Sequence, residues 1–74
     1  DYQEFDRMNP HLYLYARTMK GQKILVACSF AEKPIRFRFP KGFEESSAKL
    51  ILQNYEKAEG TVLQPYETRV YLWE

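Results

Sequence analysis

The sequence is poor in the residues that most often carry chemistry. Its 74 residues include one cysteine, one histidine and three glycines. A lone Cys28 excludes an internal disulfide and cannot start a metal site, and it fits a reducing compartment, so a cytoplasmic setting is expected. Cys28 also lies among apolar residues, where a thiol acts as a small hydrophobe rather than a nucleophile. His11 follows a proline with no Cys, Asp or Glu at ligand spacing, whereas a metal site needs three or four converging ligands. Gly21, Gly42 and Gly60 are isolated turn glycines, so no phosphate-cradling loop is present. No apolar run approaches the ~20 residues of a spanning helix. Eleven Lys and Arg against ten Asp and Glu leave a net charge of +1. That balance gives no bulk attraction to nucleic acid or to an acidic membrane surface.

Carboxylates are present but not arranged for hydrolysis. Glu44 with Glu45, Glu56 with Glu59, and Glu67 fall in turns and on polar faces. A glycosidase pair needs a deep site that raises one carboxyl pKa, and a chain this short has little room for one. The residues themselves predict no catalytic group, no cofactor and no metal. The chain also opens on Asp1 without an initiator methionine, which predicts a piece of a longer protein, residues 1–74 forming one domain of it.

Hydrophobic patterning is the strongest feature. Leu12 to Met19 and Ile24 to Phe30 are apolar runs flanking a polar turn at Lys20, Gly21 and Gln22, the pattern of a β-hairpin. Leu12, Leu14 and Ala16 share one face and Tyr13, Tyr15 and Arg17 the other. The return run is apolar on both faces, which predicts a central strand covered on both sides. A short edge strand is expected over Asp1 to Arg7, followed by a turn at Met8 to His11. Ile35, Phe37 and Phe39 alternate with Arg36 and Arg38, predicting a half-buried strand ended by Pro40. A brief strand follows at Thr61 to Leu63, and a last one runs from Thr68 to Trp73.

Phe43 to Ala58 is ambiguous by local pattern. Ala48, Ile51, Leu52, Tyr55 and Ala58 recur at helical spacing, while Ala48, Leu50 and Leu52 alternate as in a strand. Arg36 and Arg38 beside phenylalanines suggest a single-strand nucleic-acid surface, but such surfaces carry rings and charges on one face. Strand periodicity here puts them on opposite faces. Tyr13, Tyr15, Tyr71 and Trp73 would form an exposed aromatic patch if the first long strand and the last one lay close together. Such a patch marks a partner surface or a stacking platform for sugar.

In order and spacing, these segments resemble the C-terminal β domain of glycoside hydrolase family 13, the α-amylase superfamily. The likeness is to the α-glucosidases of the oligo-1,6-glucosidase and trehalose-6-phosphate hydrolase group. Tyr2, the Asn9-Pro10 turn, and Tyr15 with Arg17 match the opening of that domain. Lys23 to Phe30 with Pro34 matches its hairpin strand, with Ser29 where asparagine is usual. Leu50 to Tyr55 matches an apolar-Asn-Tyr segment, and Leu63, Pro65, Tyr66, Glu67, Val70 and Tyr71 match its closing motif.

The resemblance implies an all-β fold, a small antiparallel β-sandwich of six or seven short strands with meander or Greek-key connections. It also implies that Lys49 to Tyr55 is a strand. Hydrolysis in the resembled enzymes takes place in a (β/α)8 barrel, so the resemblance implies a non-catalytic accessory domain packed on that barrel. Tyr13, Tyr15, Tyr71 and Trp73 are its expected docking surface, and weak self-association of the isolated domain is expected. The competing readings are an autonomous carbohydrate-binding module and, if Phe43 to Ala58 is helical, a nucleic-acid-binding barrel.

Overall fold

The hairpin at the centre of the chain forms as its sequence predicts. The computed structural model, which describes residues 2–5 and 8–74, pairs β2 (Leu12–Met19) with β3 (Gln22–Ser29) from Leu12 opposite Ser29 to Met19 opposite Gln22. The two-residue connection is made by Lys20 and Gly21, and Gly21 takes a φ of 70°, a left-handed conformation that glycine adopts at no steric cost. β1 (Tyr2–Phe5) adds to the free edge of β2. Asp1, Asp6 and Arg7, the rest of the expected edge strand, lie outside the described residues.

A second layer crosses one face of this sheet. It contains β4 (Ile35–Arg36), a single 3-10 turn at Glu45–Ser47, and β6 (Val62–Leu63), which pairs antiparallel with β4. Between the 3-10 turn and β6 the chain returns to the main sheet as β5 (Lys49–Gln53), and after β6 it returns again as β7 (Thr68–Trp73). The sheet order is β1-β2-β3-β7-β5, all antiparallel. The fold is all-β, with seven strands among the described residues. Its shortest dimension, 17 Å, leaves room for two stacked layers and no third.

Two local expectations are refined. Lys49 to Tyr55 was ambiguous by pattern and is extended, but the ladder stops at Gln53, and Asn54 and Tyr55 turn away to hold a neighbouring loop. The open edge of β7 supplies the hydrogen bonds that decide strand over helix there. Ile51 is the extra residue of a bulge between Leu50 and Leu52. The expected strand over Ile35 to Phe39 pairs with β6 at Ile35 and Arg36, and one more bond runs from the Phe37 N–H to the Thr61 carbonyl at 2.9 Å; beyond that the partner chain turns back on itself between Glu59 and Val62, with Gly60 at a φ of 47°. The alternation outlasts the ladder: Phe37 is buried while Arg36 and Arg38 are exposed.

The core lies between the layers. Leu12, Leu14 and Ala16 of β2 meet Leu25 and Ala27 of β3 and Tyr71 and Trp73 of β7, and Phe37, Phe43 and Leu63 close over them. Aromatic rings make up much of the contact, edge-on: Phe39 with Tyr71 at 4.9 Å and 69°, and Phe43 with Trp73 at 5.3 Å and 79°. Such pairs add about 0.5–1.5 kcal/mol each beyond the area they bury. Large rings let a small chain fill its core, and the Trp73 indole N–H finds the Glu44 carbonyl at 2.9 Å.

Candidate docking surface

The five-stranded sheet is apolar on both faces, and the second layer covers only one. Strand register places the outer residues in rows. One row runs across four strands as Tyr15, Val26, Val70 and Leu52. The next runs as Arg17, Ile24, Leu72 and Lys49, an apolar centre between two cations, with Tyr2 of β1 beyond Arg17. Leu52 is 62% exposed and the bulged Ile51 48%. In a sheet with a solvated face, these positions would be polar.

At the β1–β2 edge this surface ends in three tyrosines. The Tyr15 ring lies 5.4 Å from Tyr2 and 4.8 Å from Tyr13. The Tyr2 and Tyr13 hydroxyls share a hydrogen bond of 2.5 Å, and Tyr2 donates to Glu4 Oε2 at 3.1 Å. Its bond with Tyr13, helped by the nearby Glu4 carboxylate, holds the Tyr2 phenol above its ordinary pKa.

This geometry corrects the expected patch. Tyr13 and Tyr15 are on the outer face, but Tyr71 and Trp73 point to the opposite face, each 7% exposed inside the core. The two strands are not neighbours, because β3 lies between β2 and β7. Both faces of β7 are apolar, Val70 and Leu72 against Tyr71 and Trp73, so periodicity could not say which faces inward. The outer face is composed instead of Tyr2, Tyr13, Tyr15, Ile24, Val70 and Leu52 around the buried Val26. The β5 residues were absent from the expected patch because local pattern in residues 43–58 slightly favoured a helix, and the resemblance that made Lys49 to Tyr55 a strand did not say which sheet face they join.

The other candidate groups are accounted for. His11 is exposed and its backbone N–H bonds the Asn9 side chain at 3.0 Å. Cys28 is a free thiol, half-buried on the outer face. Arg36 and Arg38 line a cleft of about 590 Å³ with Thr61 and Phe37, but the Phe37 ring is in the core, so exposed rings and charges do not share a face. No group of three His, Cys, Asp or Glu converges among the described residues. Nor is any described helix long and apolar enough to cross a membrane.

Among the described residues one carboxylate is fully buried, and it is structural. Glu67 Oε2 accepts the Arg69 Nε–H at 2.7 Å, with both side chains shut off from solvent. Arg69 also donates to the Gly60 and Val62 carbonyls at 2.6 and 2.5 Å and to the Tyr71 hydroxyl at 3.0 Å. Burial disfavours the Arg69 charge, but its bonds to Glu67 and Tyr71 outweigh this and hold the guanidinium above its ordinary pKa. The Asn-Tyr pair has a similar purpose. Asn54 Nδ2 donates to the Tyr66 carbonyl at 3.0 Å, its Oδ1 accepts from the Thr68 N–H at 2.7 Å, and the Tyr55 hydroxyl bonds the Pro65 carbonyl at 2.6 Å. At the hairpin's end Ser29, where the resembled domains carry asparagine, accepts the Ala31 N–H at 3.1 Å.

No family model matches the chain. Individual proteins do. The oligo-1,6-glucosidase of Heyndrickxia coagulans is 37% identical over 67 residues, covering 89% of this chain and 11% of that protein. The oligo-1,6-glucosidase of Halalkalibacterium halodurans is 38% identical over 69 residues, covering 86% and 12%. The crystal structure of trehalose-6-phosphate hydrolase from Bacillus licheniformis superposes with a TM-score of 0.83 at 27% identity, over all of this chain and 15% of that one. The chain therefore spans about a ninth of the length of the curated relatives it matches.

Proposed function

We propose that this chain, similar over most of its length to oligo-1,6-glucosidases, is a non-catalytic accessory domain, the C-terminal β domain of a glycoside hydrolase family 13 α-glucosidase. Residues 1–74 form one domain, and the outer face of the five-stranded sheet packs against the catalytic barrel of the same polypeptide. The observation that carries this reading is the apolar row Tyr15–Val26–Val70–Leu52 with no layer over it. The relatives, of which the chain is only 11–12%, have the mass to supply one. Catalysis then belongs to the remainder of the enzyme, and the domain shields apolar surface on both partners from water. The same face would give weak self-association of the domain alone. The single free Cys28 supports a cytoplasmic setting.

The test is Leu52→Asp in the full-length glucosidase that contains this chain. Leu52 is 62% exposed in the domain itself, so the substitution spares the domain's own fold. A docked face would have to bury the new carboxylate and would lose about 1.5–3 kcal/mol of leucine burial. The expected result is a lower unfolding temperature for the whole enzyme and earlier proteolytic release of the domain. An unchanged temperature would overturn the reading.

A further inference from the structure

The second layer carries two arginines that no carboxylate answers. Arg36 ends β4 and Arg38 follows two residues later, so an extended chain sets their Cα atoms about 6.6 Å apart with both side chains on one side. Phe37 between them is buried in the core, and its N–H bonds the Thr61 carbonyl at 2.9 Å. That anchors the backbone from which both arginines project. The two exposed side chains and the half-buried Thr61 line the cleft of about 590 Å³. Among the described residues, neither guanidinium is engaged in a hydrogen bond or an ion pair.

The cations continue past the cleft. Arg38 also borders a second hollow of about 340 Å³, whose wall holds Lys41 together with Phe5, Phe39 and Pro40. Among the described residues no Asp or Glu lines either hollow. The whole chain has a net charge of only +1, so three cations between residues 36 and 41 are a local concentration of positive charge.

We propose that the Arg36–Arg38 cleft is a binding site for a phosphate dianion, either free or as the phosphoryl group of a small ester. Each guanidinium presents a planar fork of N–H donors that matches the oxygens of phosphate, and the two positive charges balance the dianion. The Thr61 hydroxyl is a further donor at the same cleft. A carboxylate is satisfied by one fork and would leave the second arginine unanswered, so phosphate is the better fit. Beyond Arg38, the wall of Phe5, Phe39 and Pro40 offers the apolar part of an ester a place to lie. The site is on the second layer, away from the outer sheet face, so it stands whether or not that face docks.

The experiment is phenylglyoxal modification of the arginines in the full-length enzyme that contains this chain, read by mass spectrometry residue by residue. Inorganic phosphate, phenyl phosphate and acetate are each compared with chloride at equal ionic strength. Arg36 and Arg38 are expected to be slowed together, several-fold, by both phosphates and not by acetate, while the Arg17 rate stays unchanged. Stronger protection by phenyl phosphate assigns the site to an ester, and equal protection assigns it to free phosphate. Rates that do not respond to phosphate would overturn the proposal, as would equal protection by acetate. Slow modification already in chloride would also overturn it, because another part of the polypeptide then covers the cleft. Arg36→Gln supplies the second reading, and its exposed position spares the fold. Arg38 should lose its phosphate protection in that variant; full protection of Arg38 there would refute a shared site.

Discussion

Glu67→Leu is expected to destabilise this chain severely, although the residue lies off the outer face of the five-stranded sheet. Glu67 and Arg69 are both fully shut off from solvent, joined at 2.7 Å. Removing the carboxylate leaves the Arg69 guanidinium buried against two carbonyls and a phenol, with its charge uncompensated. It also takes the acceptor from the Gln64 N–H. Breaking one side of a buried pair costs about 3–5 kcal/mol. A domain of this length has a total stability of only about 4–11 kcal/mol, at 0.05–0.15 kcal/mol per residue. Arg69→Met should cost a similar amount, because the pair loses its cation and the Gly60 and Val62 carbonyls lose their donor.

The double variant separates this explanation from simple loss of packing. Once both charges are gone no unpaired charge is buried, so the two losses should not add. What persists is about 1–3 kcal/mol for each backbone group left without a partner. The assay is urea unfolding followed by Trp73 fluorescence, a signal from the single tryptophan, which sits in the core against Phe43. Strict additivity, or a Glu67→Leu cost below about 1 kcal/mol, would refute the reasoning, since a charge that cheap to orphan is not desolvated.

Two further outcomes follow from other contacts. Asn54→Ala removes both side-chain bonds to the turn before β7 and should cost about 1–3 kcal/mol, with faster hydrogen exchange at Thr68 as the direct readout; unchanged exchange there would contradict the clamp. Tyr2 is raised in pKa by its bond to Tyr13, so the folded state holds the phenolic proton more tightly than the unfolded chain. That contribution is complete below the unfolded tyrosine value of about 10 and is lost as pH rises through the folded one. An absorbance titration near 295 nm should therefore lose its latest tyrosine step in Tyr2→Phe, and retention of that step would place the shift elsewhere.

Much of this molecule was determined by local sequence. Apolar alternation in residues 12–30, with Gly21 between, specifies a hairpin wherever it folds, because side-chain period and turn conformation are local properties. The scarcity of histidine, cysteine and glycine likewise limits the chemistry available without reference to shape. The motif residues Asn54 and Tyr55 were visible in the sequence as a pattern, but their work, pinning the turn around Tyr66, depends on chain segments 10–14 residues apart meeting in space.

Tertiary structure decided the rest, and for a common reason. Where both faces of a strand are apolar, periodicity identifies a strand but not its inside. Tyr71 and Trp73 went to the core because the second layer, with Phe37, Phe39 and Phe43, closes on their side of β7. Tyr13 and Tyr15 were left outside by the same placement. Residues 49–53 became a strand because β7 offered an unpaired edge, a hydrogen-bonding opportunity that no local propensity encodes. Side-chain period is inherited from the sequence; which side of a sheet becomes the inside is settled only when a second layer covers it.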